Sequence, residues 1–185
     1  FDGMDGTLII TTTSVLAILY FLAPYDNFKL FLLIILIPTS IFLLFNFSIF
    51  KLPKLFLGDS GSLYLGFIIS FILIYLGSKN FVHPILLAWT VTIFVYEFLS
   101  INIIRLKNRQ NLFKAGKDHL HHLLFVKSKS TIFTNFCISL LNIIFFLIGY
   151  FSFLLINSLA SLILFIIFFI IYLVLRNSFT KKILN

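Results

Sequence analysis

Charge is scarce in this chain. Only 11% of its 185 residues are Asp, Glu, Lys or Arg, against roughly 25% in a soluble domain. An ordinary soluble globule is therefore excluded. Carboxylates are scarcer still, at six. A single cysteine, Cys137, rules out an internal disulfide, and in its apolar run it reads as a small packing side chain. P-loop, nucleophile-elbow and CxxC patterns are all missing. No signal peptide is visible, because no basic leader with a cleavage site opens the chain. The first methionine, Met4, lies inside a motif, so the sequence reads as the C-terminal piece of a longer protein.

What fills the chain is hydrocarbon. Hydrophobic residues make up 61%, Phe alone numbers 26, and mean hydropathy is +1.12. Six apolar segments come close to the length needed to cross about 30 Å of bilayer at about 1.5 Å per residue. They run over about 7–23, 28–50, 58–77, 81–104, 132–151 and 154–175, with Pro38 a kink candidate in the second. The expected fold is all-α: a polytopic bundle of about six membrane spans, forming a single domain over 1–185.

Six spans place the loops 1–6, 51–61, 105–131 and 176–185 on one face. Twelve of the 14 Lys and Arg residues fall there, and only Lys29 and Lys79 fall near the other. The positive-inside rule makes the basic face cytoplasmic. The net charge of +8 then reflects topology and anionic lipid rather than nucleic acid.

The basic face also gathers most of the acid. Asp2, Asp5, Asp59 and Asp118 are four of the six carboxylates, carried by three polar islands, and ionisable groups in a membrane protein usually have a task. In FDGMDG, Asp2 and Asp5 share a helix face if helical, while a polar turn with Asp as a helix cap is the alternative. In GDSGS at 58–62, Asp59 or Ser60 either caps the next helix or serves a ligand. Its free N–H groups favour phosphate, and Asp59 suits Mg²⁺, which takes one or two carboxylates plus phosphate oxygens. In KDHLHH at 117–122, His119, His121 and His122 suit phosphate, sugar or a transition metal. Cysteine is lacking there, and structural zinc normally needs four ligands.

Glu97 is the one carboxylate inside a span, with Arg105 two turns on as a distant partner. A functional role and helix-to-helix glue both fit it.

DGMDG, LFLGDSGSLYLGF and KDHLHHLL, in that order over residues 1–125, resemble the polyprenyl-phosphate N-acetylhexosamine-1-phosphate transferases. This membrane superfamily starts O-antigen, common-antigen and teichoic-acid synthesis, and includes the phospho-MurNAc-pentapeptide translocase. The resemblance implies transfer of a HexNAc-1-phosphate from a UDP-sugar to undecaprenyl phosphate, with release of UMP and a need for Mg²⁺ or Mn²⁺. By it, Asp59 and Asp2 are metal ligands, and Asp2, Asp5 and Asp59 form the catalytic set. The substrate-binding set is His119, His121, His122, Gly58, Ser60 and Lys117. It also implies a multi-pass protein of the bacterial inner membrane with a cytoplasm-facing site. HLHH after Lys-Asp looks more like the O-antigen and teichoic-acid initiators than the peptidoglycan translocase. Two departures stand out: Glu97 occupies a place where many relatives carry Asp, and the family's Asp-Asp motif and first helices are absent. A chain of this extent is expected to be inactive alone.

Overall fold

The computed structural model describes residues 6–109, 111 and 119–184. The islands' residues Asp2, Asp5, Lys117 and Asp118 lie outside that range. Among the described residues the secondary structure is helical throughout: α1 (Thr7–Leu22), α2 (Asp26–Asn46), α3 (Gly58–Ser78), α4 (Pro84–Thr90), α5 (Thr92–Lys107), α6 (Leu120–Ser128), α7 (Thr131–Leu155) and α8 (Ser158–Leu184). A short 3₁₀ turn, Ile49–Lys51, follows α2. Pro38 lies inside α2.

Each of the six apolar segments becomes helix. By length and apolarity α2, α3, α7 and α8 can cross a bilayer, and α4 with α5 makes a fifth if the bent pair counts as one span. The exception is α1, whose 16 residues reach only about 24 Å. Packing explains why a short helix suffices: nine of its residues are buried, so neighbouring helices rather than lipid surround it. The outer helices differ. Along the apolar stretch of α8 only 6% of residues are buried, leaving Leu, Ile and Val for hydrocarbon.

Two apolar clusters meet at α1. One joins Val15, Leu16 and Leu19 to Leu32 of α2, Ile72 and Leu76 of α3, and Leu86 of α4. The other centres on Trp89, Ile93 and Tyr96, packed with Ile138, Phe145 and Tyr172.

The expected continuous fourth span is broken. α4 and α5 meet at 76°, although neither Pro nor Gly lies at the break. In a low-dielectric interior each freed backbone group needs a partner. Asn142, fully buried on α7, supplies two. Its Nδ2 donates to the Thr90 carbonyl at 3.0 Å, and its Oδ1 accepts from Ile93 N at 3.3 Å. Thr90 and Thr92 Oγ1 donate to the Leu87 and Trp89 carbonyls. Four polar atoms thus replace the lost helical bonds.

Candidate functional site

Residues next to the three islands converge at one end of the bundle. Gly6, which closes the first island, has φ +74, and a Cβ there would lie 2.2 Å from the Phe47 ring. Glycine is required on both counts. One residue on, Thr7 Oγ1 donates to Asn135 Oδ1 at 2.6 Å, both residues being buried. The first island's helix is thereby tied to the start of α7, just after the histidine island.

Between these elements lies a cavity of about 300 Å³, walled by Asn46, Phe47, Ser48 and Lys54 on one side and Ser130, Thr131 and Ile132 on the other. Asn46 is buried, and its Nδ2 holds the Leu55 carbonyl at 2.8 Å. That bond anchors the basic connection leading into GDSGS.

Gly58, φ +65, turns the chain into α3, and Asp59 stands in the first turn of that helix. The expected side-chain cap does not form, because the N-cap is Leu57, with no side-chain bond. Asp59 and Ser60 are exposed, and the Asp59 carboxylate meets no described side chain. The α3 dipole favours its negative charge. Described His, Cys, Asp and Glu residues form no group of three suited to a metal, so Asp59 is the one described member of the expected ligand pair.

Within the histidine island, Leu120, His121 and His122 are helical rather than loop. Leu120–Ser128 forms α6, with His119 as its N-cap residue. His119 and His121 stack with ring centroids 5.5 Å apart, and His121 and His122 lie at 4.2 Å. His121 is 1% exposed. Burial pushes its imidazole down to about 2, helped by His122, His119 and Arg176. It is a neutral ring at any physiological pH, able to donate or accept but not to supply positive charge.

Glu97 holds this helix. One carboxylate oxygen accepts from the Leu120 backbone N–H at 2.6 Å, the first amide of α6. The other accepts from Tyr172 Oη at 2.7 Å and Arg176 Nε at 3.1 Å, and Arg176 Nη2 reaches the first oxygen at 3.2 Å. His119 Nδ1 lies 3.8 Å away. Arg176, on α8, is thus the ion-pair partner, correcting the expectation of Arg105. Its reach is steadied by Thr180, whose hydroxyl its Nη1 contacts. Sequence spacing pointed along α5, whereas the pairing crosses 79 residues to another helix. The one available signal was Arg176 itself, a cation at the end of the last apolar run.

Residues 1–77 match glycosyl transferase family 4. Over 126 residues, 66% of this chain, it is 25% identical to the undecaprenyl-phosphate alpha-N-acetylglucosaminyl 1-phosphate transferase of Yersinia pestis. Identity to the protein of that name in Escherichia coli K12 is 22% over the same length, and the match covers 34% of each relative. The Pasteurella multocida protein of that name is 32% identical over 73 residues, 38% of this chain and 20% of the relative. The matches thus span at most about a third of these relatives. No solved structure matches. Through residues 1–77 this helical membrane protein is similar to glycosyl transferase family 4, and over 126 residues to undecaprenyl-phosphate alpha-N-acetylglucosaminyl 1-phosphate transferases.

Proposed function

We propose that this chain is the C-terminal part of an enzyme of the bacterial inner membrane. The enzyme transfers a HexNAc-1-phosphate from a UDP-sugar to undecaprenyl phosphate at the cytoplasmic face. One observation carries the reading: an exposed, unengaged Asp59 heads α3 in a chain whose relatives bear that activity in their names. The relatives' N-acetylglucosaminyl name favours GlcNAc as the sugar, and the motif resemblance favours initiation of an envelope polysaccharide.

A free carboxylate at a helix start, with space for water and phosphate oxygens, fits a hard cation. Asp59 would hold Mg²⁺ together with Asp2, and Asp5 completes the proposed catalytic set. Mg²⁺ held there would supply positive charge to offset that of the pyrophosphate. In the reaction, an oxygen of the lipid phosphate attacks the sugar-bearing phosphorus of the UDP-sugar. The bond from that phosphorus to the UMP oxygen breaks, and UMP leaves with the electron pair. The lipid phosphate is already largely ionised near neutral pH, its second pKa being about 6, so no residue is required as base. His119 and His122, with Gly58, Ser60 and Lys117, bind phosphate or sugar oxygens, and the rim lets a lipid and a soluble nucleotide meet.

The test is Asp59→Asn in the complete polypeptide that carries this chain. Mg²⁺-dependent UMP release should fall about 100-fold or more, with membrane insertion unchanged. Full activity in that variant removes Asp59 from the metal site.

A further inference from the structure

We propose that Glu97, Tyr172 and Arg176 form a latch that positions the histidine helix, so that α8 controls where His119 and His122 stand. The inference rests on the histidine island acting in the proposed transfer.

α6 is nine residues long, too short to hold its place by helix propensity alone. Its first N–H groups are orphans that need an acceptor. His119 provides no side-chain cap, and the acceptor is instead the Glu97 carboxylate, 23 residues earlier on α5. A negative charge on the axis of a helix start also meets the positive end of its dipole. Glu97 is 1% exposed and Arg176 3%. The guanidinium grips both carboxylate oxygens, the stronger two-pronged form of such a pair. Tyr172 Oη donates to the same oxygen as Arg176 Nε. The carboxylate therefore has one aim left, along the Leu120 N–H. One carboxylate thus ties the start of α6 to both α5 and α8, with Lys127 of α6 over the Phe179 ring of α8 further along, and His119, next to that amide, inherits its position.

Buried ion pairs seldom add much net stability, so stability alone explains this arrangement poorly. Placement explains it better, because misplacing a binding group by about 1 Å can cost about 100-fold in rate. The three residues touch no reacting atom and are positioning residues.

The test uses the complete polypeptide in membranes, with Cys137→Ser, and two readouts. The first is the labelling rate by a maleimide of a cysteine at Leu123, 1% exposed on α6, against one at Ile72, 1% exposed on α3. The second is UMP release, split into kcat and KM for the UDP-sugar. In Glu97→Ala, labelling at Leu123→Cys should rise about tenfold or more while Ile72→Cys stays protected. KM should rise more than kcat falls, and Glu97→Gln, which keeps an acceptor for Leu120 N–H, should restore most of both. The latch is overturned if Leu123→Cys stays protected in Glu97→Ala, or if both cysteines become reactive together, since that is general loosening. It is also overturned if Glu97→Gln behaves as Glu97→Ala. If the unsubstituted protein releases no UMP, the transferase reading fails, and the labelling arm still decides the latch.

Discussion

Glu97 and Asp59 are both carboxylates in a membrane protein, yet the chain treats them oppositely. Glu97 is sealed among α5, α6 and α8 and accepts from a backbone amide, a phenol and a guanidinium. Asp59 stands exposed at the head of α3. A buried carboxylate must be satisfied by the protein, because water cannot do it. An exposed one keeps its oxygens for a ligand. The contrast sets a carboxylate satisfied by the protein against one that is proposed to hold a ligand.

Paired substitutions sharpen the contrast. The largest stability effect belongs to Glu97→Ala, which strands Arg176 in the interior. A loss of about 3–5 kcal/mol is expected, read as a fall in thermal midpoint in detergent or lipid. Asp59→Ala should shift the same midpoint by no more than about 0.5 kcal/mol while abolishing the proposed transfer. Equal destabilisation by the two would erase the distinction.

Asn142→Leu comes next. It leaves the Thr90 carbonyl and Ile93 N–H without their side-chain partner, at about 1–3 kcal/mol for a buried polar group. A midpoint unchanged in that variant would show that Asn142 does not hold the break.

A further effect is on pH dependence. His121 has its pKa lowered to about 2 in the fold, against about 6.5 unfolded. The unfolded chain therefore binds the extra proton first as pH falls. Its contribution is fully present above about pH 6.5 and is lost below that at about 1.4 kcal/mol per pH unit. His121→Leu should flatten stability between pH 6.5 and 5 relative to the unsubstituted protein.

Much of the scaffold was legible because lipid imposes a simple rule: apolar runs become helices. The islands stood out because carboxylates and imidazoles are rare in such a background. Contacts between distant helices were not legible. Nothing local marks Val91 as a break, since Asn142, which makes it affordable, lies on α7. The choice of Arg176 over Arg105 likewise depends on how α8 packs beside α5. α6 was hidden because nine residues rich in His carry little periodicity, and its start is fixed by Glu97. Asp2, Asp5, Lys117 and Asp118 fall outside the described residues, so Asp59 is the member of the expected catalytic set that the fold places.

The most direct test of a single polar end is side-specific labelling in sealed vesicles, on a Cys137→Ser background. Cysteines at Ser60 and Lys127, both exposed, should react with a membrane-impermeant maleimide from one face only, the cytoplasmic one. A cysteine at exposed Lys79 should react from the other. Labelling of Ser60→Cys and Lys127→Cys from opposite faces would separate GDSGS from the histidine helix by a bilayer and contradict the account.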